Sequence, residues 1–376
     1  MKITIVQGAF FPVPPIRGGA IEKIWFAMGR EFARRGHEVT HISRTFPGLP
    51  HEETIDGVRH LRVNGFDTPP SPVVLKFLDL IYTLRVLRFL PPADILVTHT
   101  FWLPVLAPRR SRGHLYVHVA RTPRGQLRFY ARAGRLQTVS HATLAAMERE
   151  VPGLRSKLKC IPNPLTKTSD QFTEPPTGER LKRLLYVGRL HPEKGVELLL
   201  RALVKVPAQL LSGWSLHLVG SAEFKDGGRG PDFLARMKEI ARNLACTVEW
   251  KGPIFDPMLL AQEYREAALF LYPSLAEKGE TFGLAPLEAM AEGAPPLVSA
   301  LACFGDFVEN KKTGFIFDHR TERPEETLKE KLIELISHTD LLAATGKRAY
   351  DRARDFSLDR IAGEYLDDFT SLLHAP

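Results

Sequence analysis

The sequence predicts an α/β protein built as two Rossmann-like, doubly wound parallel-sheet domains facing each other across a cleft. Three observations lead there. Short apolar runs alternate with helical stretches along the whole chain, the pattern of βα repeats on parallel sheets. The alternation stops once, in the polar, proline-bearing segment LTKTSDQFTEPPTG (165–178), and then restarts. A length of 376 residues is also long for one hydrophobic core and comfortable for two.

In the first half, KITIV, HEVTHIS, VRHLRV, DILVTH, HLYVHV and LQTVS read as strands, with helices expected near 20–35, 73–90, 126–133 and 141–150. In the second half, LLYVG, LHLVG, VEWKG, LFLYPS, PPLVS and GFIFD read as strands. Helices are expected there near 194–206, 232–245, 257–267, 284–293 and 325–337. The final amphipathic stretch, LDRIAGEYLDDFTSLL, has no strand after it and is expected to pack back on the first domain. The domains are therefore drawn as 1–164, a linker 165–178, and 179–356, with the closing helix 357–376 returning to the first. Ligands of open parallel sheets bind at the carboxyl ends of the strands, so residues just after strands are the candidates.

Composition narrows the function. Hydrophobic content of 44% and charged content of 25% are globular values, which sets disorder aside. No run of about 18 apolar residues is present, so no membrane-spanning helix is expected. The start MKITIVQG lacks a signal-peptide core, and Cys160, Cys246 and Cys303 lack metal spacing; both suit a reduced, cytoplasmic protein. The net charge of +8 is uneven: residues 1–164 carry 24 Lys and Arg against 11 Asp and Glu, and the remainder is acidic. A basic half joined to an acidic half suggests two tasks rather than uniform nucleic-acid binding.

Three stretches carry chemistry. QGAFFPVPPIRGGAIEKIW follows the first strand, and Gly18 and Gly19 precede a helix whose N-terminal amides suit a phosphate. The loop is long and lacks GxGxxG, so it is not a dinucleotide fingerprint. In YVGRLHPEKG the strand ends at Gly188, Arg189 stands at its tip and Lys194 is expected to open the next helix. Two cations five residues apart can clamp a diphosphate whose charge rises as it departs. In GETFGLAPLEAMAEG, Glu280 precedes a helix starting near Gly283, while Glu288 lies within it among apolar neighbours, where an unpaired charge is costly. The plain alternative is a loop acid and a helix-surface acid with no shared task.

Taken in order, PIRGGAIE, GRLHPEKG, PSLAEKGETFGLAPLEAMAEGAPPLVS and ACFGDFVENKKTGFIFD make the whole chain resemble the retaining GT-B glycosyltransferases of family 4 and their glycogen- and sucrose-synthase relatives. The resemblance is tighter in the second half. It implies that Arg189 and Lys194 neutralise the diphosphate of a nucleotide-sugar donor, here expected to be a UDP-sugar. It implies that Glu280 binds hydroxyls of the transferred sugar, Glu288 the ribose, and the amides of Phe282, Gly283 and Leu284 the phosphate and sugar. Gly18, Gly19 and Gly188 would line the donor, and His118, ending HLYVHV, would face the donor sugar. His99, ending DILVTH, competes for that role, and with Arg17 and Arg121 it is expected on the acceptor side. No Asp-x-Asp metal motif is present, and the implied scheme is metal-independent and needs no cofactor. Two departures stand out: ACFGD has one glycine before its acid, Asp306, and the first domain ends in PNPLTK.

Two stretches of the basic half bear on the acceptor. The stretch 73–90 is apolar on most sides, with Lys76, Asp79 and Thr83 along one stripe. It reads as a buried helix, or alternatively as an interfacial helix on an anionic membrane. Arg121, Arg124, Arg128, Arg132 and Arg135 surround Phe129 and Tyr130, a pattern that also suits RNA, although an acidic second half argues against nucleic acid. An anionic or lipid-linked glycan acceptor in bacterial surface-glycan assembly is the expectation, with peripheral contact at the inner membrane face. The rivals are a GT-B-shaped nucleotide-sugar 2-epimerase and a catalytically degenerate scaffold subunit.

Overall fold

The computed structural model describes residues 1–69, 71–107, 113–175 and 180–374; part of the linker segment, 176–178, and the last two residues of the closing stretch lie outside them. The chain forms two compact units, one of residues 1–170 with 356–376, the other of residues 171–355.

The first unit holds an eight-stranded sheet, ordered β3-β4-β2-β1-β5-β6-β7-β8. Its strands are β1 (Lys2–Val6), β2 (Glu38–Arg44), β3 (Glu52–Ile55), β4 (Val58–Val63), β5 (Ile95–Thr98), β6 (His114–Val119), β7 (Arg135–Thr138) and β8 (Leu158–Cys160). All neighbours run parallel except β3, an antiparallel edge on β4. The helices are α1 (Ala20–Arg34), α2 (Pro72–Phe89), the single turn α3 (Leu103–Leu106) and α4 (His141–Glu150). The sequence does not announce β3 and β8, because EETI is half exposed and charged and LKC is three residues long. The helix expected over 126–133 is only a 3-10 turn, Leu127–Tyr130. The Glu150 carboxylate accepts the amides of Gly125 and Leu127 at 2.6 and 2.8 Å, which serves the turn instead of a longer helix.

The second unit holds a wholly parallel six-stranded sheet, ordered β11-β10-β9-β12-β13-β14. Its strands are β9 (Leu181–Val187), β10 (Ser215–Val219), β11 (Thr247–Gly252), β12 (Ala267–Tyr272), β13 (Pro296–Ser299) and β14 (Phe315–Phe317). Its helices are α5 (Val196–Val204), α6 (Ala208–Leu211), α7 (Pro231–Ala241), α8 (Pro257–Glu266), α9 (Leu284–Ala291), α10 (Pro324–Ile336) and α11 (Thr339–Ala353). The sequence reading assigned nothing to α11. Its inward positions include Thr345, Gly346 and Ala349, so the apolar period is faint; a side chain at Gly346 would collide with the carbonyl of Gly293. The core joins Leu184, Tyr186, Leu216, Leu218, Leu269 and Leu271 of the sheet to Leu199, Leu203, Leu332 and Leu335 of α5 and α10.

The closing helix α12 (Leu358–Leu373) belongs to the first unit. Tyr365 and Phe369 pack edge-on against Trp25 and Phe32 of α1. Asp368, almost fully buried, pairs with Arg135 at 2.7 Å and accepts the Tyr116 hydroxyl at 3.0 Å.

The stretch 72–89 departs from the buried-helix reading. α2 turns Asp79 and Thr83 of its polar stripe inward: they are buried with Tyr82 and Val86, while Lys76, Val73, Val74, Phe77, Leu84 and Phe89 are exposed. The reason is Asp79, whose carboxylate accepts the amides of Phe101 and Trp102 at 2.9 and 3.2 Å and so closes the loop after β5. Among the described residues no helix is long and apolar enough to cross a membrane.

Four histidines, His41, His60, His99 and His118, lie on or just after β2, β4, β5 and β6 of this first sheet. Burial pushes all four below the ordinary imidazole range, His60 and His118 to about 4. Their folded values lie below the unfolded one, so the unfolded chain takes up protons first. The histidines' contribution to the stability of the first unit is therefore expected to be complete above about pH 6.5 and to be lost as the pH falls toward 4. Glu22, raised by burial to about 7, opposes it by losing its own contribution as the pH rises through that value. Thermal unfolding followed across that range checks this. Asp368→Ala leaves the half-buried Arg135 guanidinium and the buried Tyr116 hydroxyl without their shared carboxylate and is expected to cost the first unit about 3 kcal/mol, read as a lower denaturation midpoint.

Candidate functional site

In the second unit the site is assembled by the loops after β9 and β12. The chain leaves β9 through Gly188, whose amide donates to Val219 at 2.9 Å. Arg189 is exposed; its guanidinium donates to the Gly227 carbonyl at 2.8 Å and to Glu193 at 3.0 Å. His191 then accepts the Glu193 amide and starts a 3-10 turn, Pro192–Lys194. Lys194 therefore ends a short turn ahead of α5 and does not open the helix, contrary to the sequence reading. Gly195 follows with φ 71°, and any side chain there would run into the Pro273 carbonyl. That close approach brings the turn against the end of β12, where the Glu193 carbonyl accepts the Leu275 amide at 2.8 Å.

The result is a contact that sequence spacing does not reveal. Lys194, buried, sits 2.6 Å from Glu280, and each side chain is only 10% exposed. The same oxygen, Oε2, accepts the Tyr272 hydroxyl at 3.0 Å and the Ser274 hydroxyl at 3.3 Å. The Lys194 ammonium also donates to Tyr272 at 3.0 Å. Three donors thus converge on one oxygen, and Oε1 of Glu280 has no hydrogen-bond partner among the described residues. The Tyr272 hydroxyl is held firmly protonated, by burial first and then by the Glu280 charge.

Beyond Glu280 the chain enters α9 through Gly283, at φ 89°, with the Phe304 ring against its Cα where a side chain would stand. Phe282 is buried against Phe307. No side chain caps α9, and the amides of Gly283 and Leu284 have no acceptor among the described residues. They form the electropositive end of a helix. Glu288, one turn further, is half-buried and does have a partner: the Tyr264 hydroxyl of α8 donates to it at 3.2 Å.

In the first unit Gly18 and Gly19 both take positive φ, 75° and 98°, and Gly19 caps α1. A side chain at Gly19 would collide with the carboxylate of Glu22, which folds back over its own helix end. Burial pushes the Glu22 carboxyl up to about 7, against the pull of its own amide and of the Arg121 charge. Arg121 itself is exposed. Arg17 lies 3.6 Å from Asp67 with its guanidinium over the Phe46 ring. His99 and His118 meet edge to face at 4.9 Å, and both pack edge-on against Trp25. His118 is only 5% exposed, so it is a buried strand residue and not an open one. Its Nδ1 is 2.5 Å from the Gln137 amide oxygen.

The residues that sequence reasoning passed over are Tyr272, Ser274, Glu193, Glu22 and Gln137. Tyr272 and Ser274 stand in the YPS that ends β12, and Glu22 closes GGAIE. Gln137 gave one signal, an amide directly after Leu136 in the short strand RLQT.

Comparison with known proteins agrees with this architecture. The family described as "Glycosyl transferases group 1" matches residues 168–352, and the "Glycosyl transferase 4-like domain" matches residues 19–164. D-inositol 3-phosphate glycosyltransferase of Rhodococcus jostii is 31% identical over 185 residues, 49% of this chain and 39% of the relative. The chain thus spans about two fifths of that relative's length. Sucrose-phosphate synthase from Thermosynechococcus elongatus superposes with a TM-score of 0.83 at 20% identity over 100% of both chains. Anabaena HepE in complex with UDP-glucose superposes at 0.73, with 19% identity over 99% of this chain and 100% of the other. The two family matches and the shared two-sheet fold place the chain among the GT-B glycosyltransferases of the family-4 type.

Proposed function

We propose that the protein is a retaining, metal-independent hexosyltransferase that moves a sugar from a UDP-sugar to a hydroxyl of an anionic or lipid-linked glycan acceptor. One observation carries the reading: Lys194, Tyr272 and Ser274 hold one oxygen of Glu280, while its other oxygen has no hydrogen-bond partner among the described residues and the uncapped α9 begins shortly after it in the chain. Such a carboxylate is fixed in place and still able to accept sugar hydroxyls. The Gly283 and Leu284 amides would meet phosphate oxygens, with Phe282 continuing that backbone, and Glu288 would accept a ribose hydroxyl. Anabaena HepE, which shares the fold, is known as a complex with UDP-glucose, and that likeness supports a uridine donor.

Arg189 and Lys194 would supply the positive charge that the departing diphosphate needs, in place of a divalent ion. As the bond from the anomeric carbon to the phosphate oxygen breaks, an acceptor hydroxyl adds on the same face. Its proton passes to the departing phosphate oxygen, so configuration is kept. In the first unit, Gly18 and Gly19 would approach a donor phosphate and His118 the donor sugar. Arg17, His99 and Arg121 would serve the acceptor. The work would be cytoplasmic, in bacterial surface-glycan or glycoconjugate assembly, with no cofactor and no nucleic-acid partner.

The exposed apolar side of α2 supports peripheral contact with an anionic membrane. Val73, Val74, Phe77 and Phe89 are accompanied by exposed Lys76 and Arg88, on the half of the chain that carries the positive excess.

Two measurements test the proposal. With a UDP-sugar chosen by thermal shift, Arg189→Ala and Lys194→Ala are expected to lower kcat roughly 100-fold at saturating donor, with a smaller change in donor KM and no effect of EDTA. Arg189 is exposed, so its variant separates catalysis from folding. Normal turnover by both would overturn the clamp. The protein is also expected to sediment with phosphatidylcholine vesicles containing phosphatidylglycerol and not with phosphatidylcholine alone. Val73→Ser with Phe77→Ser should release it, and equal sedimentation of the variant would remove the membrane assignment.

A further inference from the structure

In the first unit β1, β2 and β4 lie side by side, and the loops that leave their carboxyl ends are tied to one another. The Phe66 amide donates to the Ala9 carbonyl at 3.0 Å and the Thr45 amide to the Val63 carbonyl at 2.9 Å. Gly65 passes so close to the Ala9 carbonyl and to Cβ of Arg44 that no side chain fits there. Arg44, the last residue of β2, is fixed by this meeting. Its Nη1 donates to the carbonyls of Phe10 and Phe66 at 2.9 and 2.6 Å, and its Nε to that of Thr45 at 3.2 Å. Its side chain is only 10% exposed, and among the described residues the one acid paired with it is Asp67, at 2.9 Å. The same Asp67 oxygen lies 3.6 Å from Arg17. The Phe46 ring supports both guanidinium groups, 5.9 Å from Arg17 and 5.6 Å from Arg44. Arg85 of α2 joins the same segment: it donates to the Asn64 carbonyl at 2.7 Å and lies over the Phe66 ring. Asp67, by contrast, is loose. Its side chain is 81% exposed, and its second oxygen has no hydrogen-bond partner among the described residues.

We propose that Asp67 is a placeholder in an anion site, and that Arg17 and Arg44 take a dianionic phosphomonoester when Asp67 swings outward. An ordinary surface pair joins two mobile side chains. Here the Arg44 guanidinium is held in place before any ligand arrives, and only the acid has to move. Guanidinium forks suit phosphate oxygens. A monoanion gains nothing by replacing a carboxylate already tethered at the site, because it brings the same charge and must give up its free motion. A dianion brings a second charge. Phosphodiesters carry a single charge, so the headgroup of phosphatidylglycerol is rejected on the same ground. The Arg44 hydrogen bond first, and then the charges of Arg44 and Arg17, hold the Asp67 carboxyl below the usual carboxylate range, so it stays an ionised competitor. The acceptor of the transfer then carries a phosphate monoester. That assignment rests on the glycosyltransferase reading; the anion site does not.

Nε–H spectra of the arginine-labelled protein read this site separately from Arg189, with the Arg17 and Arg44 signals identified by their loss in Arg17→Gln and Arg44→Lys. Both signals are expected to shift with glucose 6-phosphate and with inorganic phosphate, and not with acetate at the same ionic strength. Asp67→Asn removes the competitor from an exposed position and should tighten phosphate binding roughly tenfold. Arg17→Gln should weaken it by a similar factor. Unmoved Arg17 and Arg44 signals, or no gain in Asp67→Asn, overturn the site whatever the turnover. Acetate binding as tightly as phosphate overturns the dianion class. Glucose 6-phosphate binding more tightly than inorganic phosphate supports a phosphorylated acceptor, and equal binding of the two overturns that arm. If the site takes the sugar phosphate and no acceptor is ever glycosylated, the glycosyltransfer reading fails and the anion site stands.

Discussion

The site of the second unit depends on one approach of backbone to backbone, that of Gly195 to the carbonyl of Pro273. No side chain fits between them, so the turn after β9 lies directly on the end of β12. From that contact follow the Glu193–Leu275 hydrogen bond, the burial of Lys194 and the meeting of Lys194 with Glu280. A buried ion pair is costly to form, because both partners lose water. Here Tyr272 and Ser274 supply the further hydrogen bonds that make it tolerable, and they do so on one carboxylate oxygen. The geometry thus holds Glu280 still by one oxygen and leaves the other without a hydrogen-bond partner among the described residues.

The first unit manages polarity in a different way. Its sheet face under α1 and α12 contains His41, His60, His99, His118 and Gln137, all but His99 strongly buried as whole residues and His99 buried at its ring nitrogens. Such groups are kept neutral by burial, and the aromatic rings of Trp25, Tyr365 and Phe369 close over part of the layer. The carboxyl group of Glu22 follows the same rule, since folding it back over Gly19 raises it toward neutrality. On the outside, α2 reverses the usual arrangement because Asp79 has two amides to satisfy, and its apolar side chains are left facing outward.

Much of the fold was legible because the buried strands are continuous apolar runs. LLYVG, LHLVG and LFLYPS read as strands without a rival, and the first and last of them end in the residues that build the site. What stayed hidden was short, edge-located or small-residued: β3, β8 and α11 bury too little apolar side chain to show a period. The orientation of α2 was also illegible, since a helix apolar on most sides has no preferred face until a neighbour presents unpaired amides.

By itself the sequence determined the two-fold βα repetition, the glycines at the loop closures and the chemical types at the strand ends and in the turns and helix that follow them: Arg189, Lys194, Glu280, Glu288 and His118. These are local matters of residue type and period, written along the chain. Only the tertiary structure decided that Lys194 and Glu280 are partners, that Glu288 answers to Tyr264, and that Gln137 meets Nδ1 of His118. Those pairings join residues from different loops and strands. They exist only when packing has removed water and brought the backbone segments into contact.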